Sequence, residues 1–202
     1  KPIVKFLSNY IIGKTLDDLS FFDEIDMIPF IGYTGILQGV GVGAELAVMD
    51  LIGKIEEKPV HELFPYQEKK KEIKCYYSGG SVVFTPDSIK QDIEDLSKMG
   101  FGAYKMRVGH QTWGQDIHRV ETAAKLLKNK NLMVDAIMGT LKKKWTLMDA
   151  ELKIKDLLNY NIFWIEEPLC PTSISDYEKL RKKSKIPIAL GEAYSGKINF
   201  ES

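Results

Sequence analysis

Three acidic residues are distinctive because each one follows an apolar run of the kind that forms a buried strand: Asp135, Glu166 and Glu192. A carboxylate at the edge of an apolar interior is costly unless it is paired or binds a metal. Three of them at matching strand ends supply the hard oxygen ligands that a divalent cation such as Mg²⁺ needs. The alternative, in which each acid forms its own salt bridge or caps the next helix, stays open.

Two basic residues occupy the strand before these acids. Lys105 and Arg107 are two residues apart, so both face one side of that strand while Met106 faces the other. Two cations directed at three carboxylates would neutralise them or bind a substrate anion. Ion pairs with a purely structural role are the alternative interpretation.

The elements that would position these residues repeat along the chain from residue 75. Short apolar strands alternate with amphipathic helices, and successive strand markers are 29, 28, 31 and 26 residues apart (Ser78, Arg107, Asp135, Glu166 and Glu192). Such spacing is typical of βα units in a parallel sheet. Residues 1–74 show only helical periodicity, so we expect an N-terminal helical domain over 1–74 and the βα array over 75–202.

Other features have simpler interpretations. The run Lys142–Lys144 is interpreted as solvated surface, Trp164 as a core residue packed on a helix, and Trp113 as a packing residue. His110, in the loop after the second strand, is interpreted as an exposed loop residue.

Charge and composition exclude several classes of protein. The 202 residues carry 28 Lys+Arg and 28 Asp+Glu, a formal net charge of zero, which argues against nucleic-acid and membrane-surface binding. The two cysteines, Cys75 and Cys170, form neither a disulfide framework nor a zinc motif, so a cytoplasmic location is expected. No run approaches the roughly 18 apolar residues that span a bilayer, so no membrane partner is expected.

Four motifs in order resemble the enolase superfamily, in its mandelate racemase and muconate lactonizing enzyme branch. They are Tyr104-Lys105-Met106-Arg107-Val108-Gly109, Val134-Asp135-Ala136, Trp164-Ile165-Glu166-Glu167-Pro168 and Gly191-Glu192. The segment from Gly43 to Lys54 is also similar to the last helix of that family's capping domain. The resemblance implies an α/β fold, a TIM-type (β/α) barrel with about five βα units present, preceded by the helical part of an α+β capping domain.

The same resemblance implies site roles. Asp135, Glu166 and Glu192 would be the ligands of Mg²⁺, and Lys105 and Arg107 would occupy the family's Lys-x-Lys positions. The second of those residues is often the base that removes the proton α to a carboxylate. Removal creates an enediolate with two negative charges, which Mg²⁺ and a nearby lysine would stabilise. Glu167 is expected to orient a ligand or the lysine.

Three departures from the family pattern limit the inference. Arg107 replaces the usual lysine, and a guanidinium is a poor proton acceptor, so Arg107 is expected to hold a substrate anion or to tune Lys105. Ile137 replaces the usual Asn after Asp-Ala, which removes a polar contact near the substrate. Only ten residues follow Glu192, so the last three barrel units and their Asp and His are expected in a longer parent protein.

The predicted function is Mg²⁺-dependent removal of the proton α to a carboxylate, with dehydration of an acid sugar favoured. Racemisation needs a competent base on both faces of the substrate, and Arg107 weakens one face. A racemase, epimerase or cycloisomerase stays open, as does a non-catalytic or truncated metal-binding barrel fragment. The expected partner is a small carboxylate substrate, an acid sugar or a hydroxy acid, and the resemblance implies a homo-oligomer.

Overall fold

The computed structural model of the chain describes residues 2–16, 18–26, 28, 35–64, 72–128 and 130–194. It divides into two compact units, of which the second comprises Glu72–Ala193. The domain boundary expected between residues 74 and 75 stays a prediction.

The described residues of the first unit form three helices, α1 (Pro2–Ile11), α2 (Phe21–Asp26) and α3 (Gly35–Ile55), followed by a 3-10 turn at Val60–Glu62. One residue from each helix, Leu7, Ile25 and Leu37, is buried, and these three form the centre of a small apolar core. This agrees with the helical periodicity of the sequence before residue 75.

Helix α3 corrects one expectation from the sequence. The helix has 21 residues, and an 18-residue window of it has a mean hydropathy of 1.5 with only 17% of the window buried, so by length and composition it could cross a membrane. The run was missed because glycines, Glu45 and Asp50 interrupt the large apolar side chains. A single helix of this kind near the N-terminus is weak evidence for a membrane span, since core helices and signal sequences have the same composition.

The second unit contains a parallel sheet of five strands, β1 (Tyr77–Ser78), β2 (Ala103–Arg107), β3 (Asn131–Asp135), β4 (Ile162–Glu166) and β5 (Ile188–Ala189). Their spatial order is β1-β2-β3-β4-β5, the same as their order in the chain. A doubly wound sheet reverses its strand order at a switch point, whereas consecutive barrel strands do not. The observed order is therefore that of barrel strands.

Four helices connect these strands: α4 (Pro86–Lys98), α5 (Trp113–Leu127), α6 (Leu147–Leu157) and α7 (Ile174–Lys183). They bury their apolar stripes against alternate strand residues such as Tyr104, Met106 and Val134, which are fully buried. The intervening residues Lys105 and Asp135 therefore face the opposite side of the sheet. This alternation separates the apolar core from the candidate site.

Each strand is followed by a residue with a left-handed backbone: Gly80, Gly109, Ile137, Glu167 and Gly191. Glycine adopts this conformation without steric cost, but Ile137, at φ 48°, is β-branched. Ile137 therefore holds a strained turn immediately after the strand that carries Asp135.

We expect Ile137→Asn to raise the free energy of unfolding by about 0.5–1 kcal/mol, because Asn tolerates the left-handed region. Little packing is lost, since Ile137 is absent from the residues that build the core on the helix side of the sheet. Urea unfolding of the two proteins measures the change. Ile188→Asn, at a position that packs against this core, should instead destabilise the chain. An Ile137→Asn chain less stable than the wild type would contradict the account of strain.

Candidate metal centre

Three carboxylates converge at one edge of the sheet, where the carboxyl ends of the strands lie. Asp135 ends β3, Glu166 ends β4, and Glu192 lies three residues beyond β5. One carboxylate oxygen from each lies within 4.8 Å of the other two. Asp135 is buried, Glu166 is half-buried and Glu192 is exposed, so the cluster opens to solvent on the Glu192 side.

Register explains why Asp135 and Glu166 are neighbours. Their Cα atoms are partners in the parallel pairing of β3 and β4. The Ala136 N–H donates to the Glu166 carbonyl at 2.8 Å, and the Glu167 N–H donates to the Ala189 carbonyl at 2.9 Å. These bonds join the ends of three adjacent strands, so the backbone below the carboxylates is held in place.

Lys105 lies against two of these carboxylates. Its Nζ is 2.8 Å from both Glu166 oxygens and 3.5 Å from Asp135 Oδ2, and the residue is buried. Burial alone lowers the pKa of Lys105, but the hydrogen bond to Glu166 and the charges of Asp135 and Glu166 outweigh it, so the pKa is raised. Lys105 is therefore an ammonium ion that offsets part of the negative charge.

For Asp135, burial has the largest effect on the pKa. Burial raises the pKa of Asp135 and the charge of Glu166 adds to the rise, whereas the Ile137 N–H, 2.9 Å from Oδ1, and Lys105 oppose it. Three carboxylates lie together and only one ammonium group, that of Lys105, pairs with them, so Lys105 offsets only part of their negative charge. Oxygen ligands with unbalanced negative charge are what a hard divalent cation binds.

Arg107 is on the same strand but in a different environment. The Cα of Arg107 pairs with that of Asp135, and Arg107 is exposed. Its guanidinium has no hydrogen-bond or ion-pair partner within the residues that the structure describes. The structure brings Lys105 and the three carboxylates together and leaves the Arg107 side chain available at the rim.

A buried ion pair supports this strand end from the helix side. Arg119 and Asp116, both on α5 and both almost fully buried, form a 2.8 Å salt bridge. Arg119 also donates to the carbonyl of Arg107 at 3.1 Å and to that of Ser81 at 2.6 Å. The Asp116 carboxylate accepts from the Gly109 N–H at 2.8 Å. The loops after β1 and β2 are therefore fixed by one pair of charges.

Two further residues singled out in the sequence, Trp164 and Glu167, lie near this cluster. Trp164 does not pack on a helix: its indole N–H lies 3.4 Å from Glu166 Oε2, and its ring meets Tyr76 edge-on at 5.5 Å. Trp164 precedes Glu166 by two residues, so strand alternation predicts that the two side chains lie on the same face. Glu167 is buried beside Gly139 in the β3–α6 loop, and it has no hydrogen bond to Lys105 or to the three carboxylates.

Comparison with known proteins gives one family and several relatives. A family model described as enolase C-terminal domain-like matches residues 88–202. The chain is 27% identical over 150 residues to the L-talarate/galactarate dehydratase of Salmonella typhimurium, covering 73% of this chain and 36% of that protein. It is 30% identical over 150 residues to a 3,6-anhydro-alpha-L-galactonate cycloisomerase of Streptomyces coelicolor, covering 73% and 39%.

A solved structure agrees with the fold. The enolase from Bradyrhizobium, complexed with magnesium and mandelic acid, has a TM-score of 0.84 and 26% identity, covering 99% of this chain and 55% of that chain. The predicted barrel-type fold is confirmed. This chain spans about half, or less, of the length of these proteins.

Proposed function

The chain belongs to the enolase superfamily, and from this premise we propose that Asp135, Glu166 and Glu192 hold a Mg²⁺ ion. The observation that carries the proposal is the convergence of their carboxylate oxygens within 4.8 Å. An all-oxygen, all-carboxylate donor set fits Mg²⁺ better than it fits metals that prefer sulfur or imidazole. The relatives that bind magnesium, such as the Bradyrhizobium enolase, support the choice of ion.

For the whole protein we propose dehydration of an acid sugar. In such a reaction the proton α to the carboxylate leaves to a base, the hydroxyl on the next carbon leaves as water with a proton from an acid, and the resulting enol becomes a 2-keto-3-deoxy acid. The related L-talarate/galactarate and arabinonate dehydratases support this class of substrate. Bound Mg²⁺ supplies positive charge that stabilises the negative charge developing on the substrate carboxylate.

The residues of this chain have separate roles in the proposal. Lys105, as an ammonium ion held by Glu166 and Asp135, adds positive charge beside the reacting carboxylate. Arg107, exposed and with its guanidinium available at the rim, binds a second anionic or hydroxyl group of the substrate. A guanidinium offers N–H donors and no acceptor, so Arg107 is not assigned the role of the base. The proposal therefore favours a reaction that needs one strong base over one that needs two.

A panel of acid sugars tests the proposal with the whole protein and Mg²⁺. We expect a 2-keto-3-deoxy product from at least one acid sugar, detected by a colorimetric assay for 2-keto-3-deoxy acids. Arg107→Met should raise KM at least tenfold, since a charge-assisted hydrogen bond to the substrate is lost. Arg181→Met, at an exposed position of α7, is the matched control and should leave KM unchanged.

Two results would contradict the dehydratase assignment. A change of optical rotation without a keto product and without a change in ring number would indicate a racemase or epimerase, and a product of unchanged mass with one ring more or fewer than the substrate would indicate a cycloisomerase. Metal binding with no turnover on any acid sugar would favour the non-catalytic alternative.

A further inference from the structure

A cleft lies between the loops that follow β2 and β3, and none of the candidate metal ligands lines it. Its volume is about 520 Å³, within the range of small-molecule sites. The β2–α5 loop contributes His110, the β3–α6 loop contributes Lys142, Lys143 and Trp145, and helices α5 and α6 contribute Trp113 and Lys153. The geometry points to a binding site for an organic anion that carries two or more negative charges on a compact carbon skeleton.

The lining of the cleft is rich in positive charge. Lys142 and Lys143 are exposed, and neither has an ion-pair or hydrogen-bond partner within the described parts of the chain. Asp149, the acidic residue in the lining, accepts from the backbone N–H and the hydroxyl of Thr146 at 2.9 and 2.8 Å. Its carboxylate caps the start of α6 and stays an anion beside Lys143 and Lys153, so it offsets one of the three positive charges of Lys142, Lys143 and Lys153 and leaves the lining with an excess of positive charge.

The position of Lys153 is the second argument. Its Nζ lies 5.3 Å from the ring centroid of Trp113 and 5.0 Å from that of Trp145, and these two rings meet edge-on at 5.5 Å. Two indole rings hold the ammonium without neutralising it, because a cation–π contact leaves the formal charge in place. Lys153 is therefore fixed in direction and still able to pair with an anion.

The rigidity of the wall is the third argument. Lys144 donates to the carbonyls of Met138 and Leu141 at 2.6 and 2.9 Å, which closes the β3–α6 loop on itself. The Trp113 indole N–H donates to Asp156 at 2.8 Å, which ties α5 to α6. The cleft is held open by these contacts before any ligand binds, so little ordering cost opposes binding. The indole rings and Leu141 give it an apolar wall for the carbon skeleton.

The test uses phthalate, which has two carboxylates on one ring, and benzoate, which has one. Each is titrated into the full chain at constant ionic strength, without metal, and tryptophan fluorescence is recorded. We expect phthalate to change the emission in a saturable way, because it draws Lys153 away from the two indoles, and to bind at least tenfold more tightly than benzoate. Lys153→Met should weaken phthalate binding at least tenfold.

Matched variants locate the effect. Lys125→Met removes an equal charge from an exposed pair with Glu121 on α5 and should leave phthalate affinity within twofold of the wild type. Arg107→Met, at the candidate metal rim, should also leave it within twofold, which separates this site from the proposed active site. Equal affinity of wild type and Lys153→Met, equal losses in Lys153→Met and Lys125→Met, or equal binding of phthalate and benzoate would each overturn the inference.

Discussion

Arg119→Met is expected to lower the free energy of unfolding by about 3–5 kcal/mol, the cost of leaving one member of a buried ion pair alone. Asp116 would keep a buried charge, and the carbonyls of Arg107, Gly80 and Ser81 would each lose the guanidinium hydrogen bond, although the last two keep a backbone donor. Urea denaturation followed by circular dichroism measures the loss. Arg119→Lys, which keeps the charge but not the forked geometry, should give an intermediate loss.

The matched control for this prediction is Arg181→Met, which removes an exposed arginine at the end of α7. We expect a change of no more than about 1 kcal/mol there. The pair Asp116→Asn and Arg119→Met should lose less together than the sum of the single changes, because each single variant leaves the other partner uncompensated. A loss below about 1 kcal/mol for Arg119→Met would mean that the buried network does not stabilise the chain.

The second large effect concerns the metal. In the wild-type chain, Mg²⁺ at a hundred times its Kd should stabilise the fold by about 2.7 kcal/mol, and the melting temperature should rise accordingly. Glu192→Gln removes one of the three proposed ligand carboxylates at an exposed position, so folding is retained. We expect its Mg²⁺ affinity to fall about a hundredfold or more, since loss even of groups that only orient a ligand costs ten- to a hundredfold.

Thermal unfolding with and without Mg²⁺ measures this difference. Glu178→Gln, an equal change at an exposed site on α7, should keep the full Mg²⁺-dependent rise. A rise of the same size in Glu192→Gln would remove Glu192 from the proposed ligand set. Absence of any rise in the wild-type chain would contradict the metal centre itself.

The sequence predicted the fold of the βα array and the grouping of Lys105, Asp135 and Glu166, because strands of constant spacing and period two place such residues on one edge. It failed for Trp164, because that assignment followed the apolar character of the side chain and not the period of two, which places Trp164 on the same face of β4 as Glu166.

Contacts between residues far apart in the chain could not be predicted from the sequence either. The partners of Arg119 include carbonyls 38 and 39 residues earlier in the chain, and no local pattern distinguishes a buried arginine from one on the exposed face of an amphipathic helix. The run Lys142–Lys144 looked like ordinary surface because its significance depends on Trp113 and Lys153, which belong to other elements. Sites of this kind can be recognised only when the tertiary structure is known.

The agreement between strand order and chain order has a consequence for how the sheet assembles. Each strand after β1 pairs with the one before it in the chain, so the paired residues are 23 to 31 positions apart in the sequence. Closure entropy depends only weakly on loop length, so the four pairings cost nearly the same. We expect a chain of low contact order whose sheet grows one βα unit at a time, in the direction in which the ribosome releases it.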